Sequence, residues 1–286
     1  MRYLDPKADL TFKKIFGERK NLVISFLNSM LPLSDEIVDI EYLSPELVPD
    51  NPLRKNSIVD VRCRDTADRI FIVEMQMNWS AEFKQRVLYN ATKAYARQIG
   101  SGEDYSLLKP VYCLALVNDV FEKDLEGYYH HYRLVHEEHT DKVIEGLQLL
   151  LIELPKYNPE TFCEKRMRSL WLRFLTEIKT GTKEIDSALM SEPVLKEAVT
   201  ILTESSFTNA ELAAYERFWD IISTEKTLAT GKFREGREVG RKEGREEGKS
   251  ARNKELVLAL TQKGKSVAYI SDLLDISSEE VESLLD

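Results

Sequence analysis

Asp60, Glu74 and Gln76 are the residues whose types and spacing could do chemistry. Ile70–Asn78, IFIVEMQMN, is apolar as far as Val73 and is then interrupted by Glu74 and Gln76, two apart on one side of a strand. A strand buried on both faces does not tolerate a carboxylate near its end without a partner. The preceding run SIVDVRC, residues 57–63, carries Asp60 on the same side as Ile58 and Arg62. If the connecting loop has an odd number of residues centred on Ala67, Asp60 stands directly opposite Glu74. Directly opposed residues have Cβ atoms about 5 Å apart.

Two ionised carboxylates that close raise each other's pKa unless a cation sits between them. A divalent ion removes the conflict. Mg²⁺ takes hard oxygen ligands, commonly one or two carboxylates, with water and substrate phosphate filling the rest. The backbone carbonyl of Met75 could add an oxygen, and Gln76 would lie beside the ion, able to orient a water or touch a phosphate. The chemistry is metal-assisted phosphodiester hydrolysis, in which the ion lowers the pKa of a bound water and neutralises charge on the phosphoryl oxygens. An Asp near a strand start and a Glu near a strand end are also ordinary edge positions reaching solvent. Spacing alone leaves both readings open.

The elements that must position these residues follow from periodicity. Residues 5–30 read as helix, with Phe12, Ile15, Phe16, Val23, Phe26 and Leu27 at three-to-four spacing and Gly17 as a break. Residues 31–57 hold four prolines and read as irregular, with a short strand near VDIEYL. Two strands, 57–63 and 69–77, flank the turn RDTAD. FKQRVLYNATKAYARQI, 83–99, is a helix with Val87, Ala91, Ala94 and Ile99 on its apolar face, and 110–118 is a buried strand. YHHYRLVHEEH reads as extended and 147–157 as a last strand ended by Pro155. Helix, strands, helix, strand describes an α/β core over 1–157. Residues 158–230 turn helical and are expected to pack on or beside that core.

The resemblance rests on four pieces in order. The opening Asp9-Leu10-Thr11-Phe12-Lys13-Lys14-Ile15-Phe16 is followed by Val59-Asp60, by Val73-Glu74-Met75-Gln76, and by a helix with Arg86, Tyr89 and Tyr95. Together they resemble the PD-(D/E)XK nuclease family transposases, or recombination-promoting nucleases, and Leu154-Pro155-Lys156 fits the same run. The resemblance implies a restriction-endonuclease-like α/β fold: a mixed sheet flanked by helices, with an all-helical C-terminal extension. It implies Asp60 and Glu74 as ligands for Mg²⁺ or Mn²⁺, together with the Met75 carbonyl. Gln76 stands where the wider superfamily has lysine, and it can be neither a cationic stabiliser nor a useful base. Asp9 would be an additional acidic group. Lys13, one helical turn on, is a candidate phosphate contact or simply a surface lysine. Arg86 and Lys93 would form a basic edge facing substrate. Asn90 departs from relatives, which often carry tyrosine there.

The implied activity is a metal-dependent DNA endonuclease, promoting recombination or acting on mobile or foreign DNA. The alternative is a weak or inactive nuclease-fold protein that binds DNA or assembles with itself. A nuclease acting on RNA is a third reading.

Composition bounds these readings. The 286 residues carry 40 basic and 49 acidic side chains, so no global charge draws the chain to nucleic acid, and any attraction must be local. Three scattered cysteines, with no CxxC pair, argue against zinc and against a disulfide framework. No apolar run approaches the roughly 20 residues a membrane span needs, and the charged start lacks a signal-peptide core, so a cytoplasmic protein is expected. The four histidines cluster in 130–139, where an extended chain would point His136 and His139 to opposite faces.

In the tail, 231–254 repeats glycine every fourth residue and holds nine basic against five acidic residues, as a charged helix or linker. Residues 255–286 read as three short helices around Ile270, Leu273, Leu274, Val281 and Leu284. From Ser266 onward there are six acidic residues and no Lys or Arg, which a DNA duplex would repel. Contact with protein, including a second copy of the chain, fits that surface better.

Overall fold

The structure, a computed structural model, describes residues 2–47, 56–159 and 165–285. Pro49, Pro52 and Cys163 therefore lie outside the described residues, as do residues 160–164 of the stretch expected to turn helical. The described part divides into two compact units, 1–222 and 223–286.

The first unit opens with α1 (Asp9–Phe12), a π-helical turn over Lys13–Gly17, and α2 (Lys20–Met30). The expected break at Gly17 is thus where the first helical stretch ends. Strands β1 (Ile40–Tyr42), β2 (Glu46–Leu47), β3 (Ser57–Ile58), β4 (Val61–Asp65) and β5 (Ile70–Gln76) follow, then α3 (Phe83–Ala96). After α3 come β6 (Val111–Val117), β7 (Tyr129–Val135) and β8 (Val143–Glu153). Six strands form one sheet in the order β1-β4-β5-β6-β8-β7, while β2 and β3 pair separately. β5, β6 and β8 run parallel, with α3 as the crossover between β5 and β6, and β1, β4 and β7 are antiparallel to their neighbours.

The strand expected over 57–63 is two strands. Val59 and Asp60 interrupt it, and β4 begins only at Val61. The β4–β5 register pairs Val61 with Val73, Arg62 with Ile72, Cys63 with Phe71 and Arg64 with Ile70. That register is centred on Ala67, as the odd loop requires, and carried one residue past the end of β4 it would set Asp60 opposite Glu74. Asp65 fixes the turn: its Oδ1 accepts from the N–H groups of Ala67 and Arg69, and its Oδ2 accepts from Arg69 Nε at 2.7 Å.

Alternation gives the sheet two buried faces. Ile70, Ile72, Cys113, Ala115 and Val117 meet Phe83, Val87, Ala91 and Ala94 of α3. Phe71, Val73, Leu114, Leu116 and Leu150 face the opposite way, against Phe16, Phe26 and Trp171. Trp171 belongs to α4 (Arg166–Glu177), which is followed by α5 (Ser187–Ser191) and α6 (Pro193–Ile201). These helices bury Leu172, Phe174, Leu195 and Val199 in the same cluster as the sheet, so the segment after 157 completes the core. Helix α7 (Asn209–Gln262) begins in this unit, where Tyr215 is buried with Leu4 and Ala8 and its hydroxyl accepts from Asp5 N–H at 2.8 Å. The N-terminal segment that leads into Asp9 is thereby held from both sides.

The second unit holds the rest of α7, then α8 (Val267–Leu274) and α9 (Ser278–Ser283). The glycine-periodic stretch is helical, and a Cβ added at Gly236, Gly240, Gly244 or Gly248 would meet nothing within 4 Å. Ser266 and Ser277 cap the two short helices through Tyr269 N–H and Glu280 N–H. Val257, Ile270 and Val281 form their small core, joined by Leu274 and Leu284. Leu273, expected inside, is 55% exposed: it lies three residues from Ile270 but on the outer side of an eight-residue helix with a narrow contact. No described helix is long and apolar enough to cross a membrane.

Candidate active site

Asp60 stands where the ladder between β4 and β5 gives way to a side chain. Its Oδ2 accepts from the Met75 backbone N–H at 2.7 Å, replacing the bond a continuing β4 would have made. A strand residue projects its N–H and C=O to the same side, so the Met75 carbonyl also faces the Asp60 edge. Met75 itself is half-buried, and Glu74 beside it is buried.

Glu74 is positioned from α3. Asn90 Nδ2 donates to Glu74 Oε1 at 2.8 Å, and Arg86 Nη2 lies 3.8 Å from Glu74 Oε2. The same Arg86 nitrogen donates to Gln76 Oε1, while Gln76 Nε2 donates to the Asn78 carbonyl. Gln76 thus holds a cation in the place where it cannot be one. The neighbour of Glu74 on β6 is Ala115, whose small side chain leaves room for the carboxylate beneath α3.

Burial pushes the Asp60 carboxyl up, against the Met75 N–H and the charges of Lys13 and Arg86, while Asp9 adds to the rise. Burial likewise pushes Glu74 up, opposed by the Asn90 hydrogen bond and by Arg86, with Asp60 adding to the rise. Asp60 thus adds to the rise at Glu74, as a nearby like charge does, while the carboxylate that adds to the rise at Asp60 is Asp9. They line one cleft of about 760 Å³ with Gln76, Arg86, Tyr89 and Asn90.

The remaining expected site residues are distributed differently. Asp9 and Lys13 pair with each other at 2.6 Å, half-exposed, and act on Asp60 through their charges without lining the cleft. Lys93 sits away from the cleft lining: its Nζ donates to the Leu47 carbonyl and, at 3.3 Å, to Ser57 Oγ, tying down the β2–β3 hairpin. Among the described residues no three His, Cys, Asp or Glu side chains are grouped to hold a metal, so the histidine run makes no such site. His136 and His139 do not point to opposite faces; they follow β7 in a turn, with ring centroids 5.0 Å apart.

Asn90, marked in the sequence only as a departure from relatives, is the residue whose contact with Glu74 the sequence did not reveal. Its place four residues after Arg86 on α3 was the available signal, masked by the apolar residues on either side. Among the described residues Asn90 Oδ1 is buried with no hydrogen-bond partner, an acceptor still able to take a hydrogen bond beside Glu74. This orphan acceptor, with the buried Glu74 carboxylate, the half-buried Asp60 carboxylate and a carbonyl on one side, is a donor set of hard oxygens that fits Mg²⁺ or Mn²⁺.

The family model for PD-(D/E)XK nuclease family transposases matches residues 6–224. The chain belongs to that family, and membership supports a nuclease-type function. The match takes in the whole of the first unit's sheet and its flanking helices. No curated protein and no solved structure matches the chain.

Proposed function

We propose that this protein is a metal-dependent DNA endonuclease. The observation that supports the reading is Asp60 gripping the Met75 N–H beside Glu74, both carboxyls being raised by burial, at the end of a register that continues toward an Asp60–Glu74 pair. Asp60, Glu74 and the Met75 carbonyl would hold Mg²⁺ or Mn²⁺. When bound, the ion supplies Lewis-acid activation of water and charge neutralisation at phosphate. Arg86, held by Gln76, presents a guanidinium to the anionic phosphoryl oxygens, the role a superfamily lysine would fill. Asn90 keeps Glu74 aimed into the cleft. Lys13, paired with Asp9, adds positive potential at Asp60.

The test is cleavage of supercoiled plasmid by purified protein with Mg²⁺ or Mn²⁺. Asp60→Ala is expected to abolish it, and unchanged cutting by that variant rejects the assignment. The second reading, a nuclease-fold protein that binds DNA or self-assembles through its C-terminal helices without cutting, is favoured by Gln76 standing in the lysine position. Calorimetric Mg²⁺ titration separates them, because only a metal enzyme loses affinity on Glu74→Gln. An RNA strand in the cleavage assay decides the third reading.

A further inference from the structure

Asp60, Arg62 and Arg64 alternate onto one face of the sheet, the face that carries Glu74 and α3. Two clefts open along that face. The first is the carboxylate cleft, and the second, about 410 Å³, is lined by Arg62, Arg64, Arg97 and Lys109 among others, with Asp68 the one carboxylate among the described lining residues. Arg62 also lines the adjoining hollow with Arg97.

The positive charge in the second cleft is only partly matched. Arg64 pairs with Glu41 at 2.8 Å and more loosely with Asp68 at 3.6 Å. Among the described residues Arg62 has no carboxylate partner: one Nη donates to the Ser44 carbonyl at 3.3 Å, and its Nε is buried with no hydrogen-bond partner there. Burial, then the neighbouring charges of Arg97 and Arg64, disfavour its cationic form. A half-buried guanidinium crowded by two more lacks one component, an anion.

We propose that this cleft is an anion site taking a backbone phosphate of the DNA strand whose scissile bond lies at Asp60 and Glu74. The proposal rests on the nuclease reading for the identity of its ligand. Arg62 and Arg64 are about 7 and 13 Å along the strand from Asp60 at the usual rise per residue. Phosphates on one DNA strand recur every 3.4 Å of helix axis, so the second cleft engages the strand a few nucleotides from the cut. Arg62 offers N–H donors to phosphate oxygens, and the Arg97 guanidinium adds positive charge beside it. Such contacts position the strand without reading its sequence.

The experiment measures binding of a fluorescein-labelled 20-base-pair DNA duplex to the full chain in EDTA, where no strand is cut, across a salt series. Arg97→Gln changes an exposed residue and so spares the fold; Arg62→Gln is measured beside it, with melting checked. Both are expected to weaken binding for any sequence and to flatten the slope of log K against log salt by about 0.9, the loss of one phosphate contact. Lys183→Gln, exposed and outside both clefts, should leave the slope at the wild-type value. An Arg97→Gln slope equal to wild type, a slope change equal to that of Lys183→Gln, or no DNA binding by the wild type overturns the site. Arg97-dependent binding confined to an RNA strand of the same sequence also overturns it. DNA binding that depends on Arg97 in a protein that never cuts keeps the site and removes the nuclease reading. Cutting with no dependence on Arg97 does the reverse.

Discussion

Arg86 Nη2 donates to Gln76 Oε1 and lies 3.8 Å from Glu74 Oε2, so a strand glutamine and a helix arginine act as one unit over the carboxylate cleft. The amide is neutral, but it fixes the end of a long side chain that solvent would otherwise let wander. Charge arrives from α3 instead of from β5. The guanidinium also lies over the Phe83 ring at 4.8 Å, a second restraint on the same group.

A paired unit predicts non-additive losses. Gln76→Ala should leave Arg86 in place but unaimed, and a misplaced catalytic group costs about 10²-fold in rate. Arg86→Gln removes the charge itself and should cost at least as much. The double variant should then be no worse than Arg86→Gln alone. The measurement is single-turnover cleavage with Mg²⁺ by the three variants. Multiplicative losses would mean that Gln76 acts on substrate independently of Arg86.

Glu74 predicts a pH signature in the metal-free protein. Its carboxyl is raised above the ordinary 4.5 by burial, so the folded chain holds this proton to higher pH than the unfolded chain does. Stability from this group is full in acid and is lost as pH rises through the raised value. Glu74→Gln cannot ionise and keeps an oxygen for Asn90 Nδ2. It should therefore melt higher than wild type at pH 8 in EDTA, with the gap closing near pH 4. Added Mg²⁺ should raise the wild-type melting temperature and leave the variant's unchanged, by ordinary linkage. A variant that melts below wild type at pH 8 in EDTA contradicts the sign of the shift.

The register was legible because it depends on local facts: a symmetric turn around Ala67, locked by Asp65 and Arg69, with opposite faces alternating on both strands. The break at Val59–Asp60 was not, since an Asp side chain substituting for a ladder bond leaves no trace in hydrophobic alternation. Asn90 was hidden for a related reason, being a polar residue buried among Val87, Ala91 and Ala94 that becomes meaningful only across from Glu74. Lys93 looked like part of a basic helix edge, yet its Nζ is spent on the Leu47 carbonyl of a hairpin nearly fifty residues upstream. His130 was visible as a histidine but not as part of a buried network. Its Nε2 lies 2.8 Å from Glu153 Oε2, which also meets Lys156 Nζ at 2.5 Å, and the Glu153 Oε1 accepts from the N–H groups of Phe121 and Glu122. Pairings between distant elements of this kind have no periodicity to read.

The core predicts that residues before and after 157 melt together. Trp171 on α4 is fully buried, with its ring 5.5 Å from those of Phe16, Phe26 and Phe174. Trp171→Ala leaves a cavity between α4 and α2, at a cost of about 3–5 kcal/mol. Urea melts followed by far-UV dichroism and by tyrosine fluorescence should shift together. Separated transitions would show that the helices after 157 are an appendage, and that the sheet folds without them.

The second unit predicts local, not global, loss. Its core is Val257, Ile270 and Val281 with a few half-buried neighbours, too small to carry much stability. Ile270→Ala should therefore unfold α8 and α9 while the sheet unit keeps its melting temperature, because Ile270 shares no cluster with it. Hydrogen exchange on the full chain reads this directly: amides of 267–283 should lose protection while those of β5 and β6 keep it. Cleavage measured alongside shows whether the acidic helices serve the chemistry or only contacts between proteins. Unchanged turnover with altered sedimentation would assign them to assembly, whereas lost turnover with an intact sheet would tie them to the nuclease step.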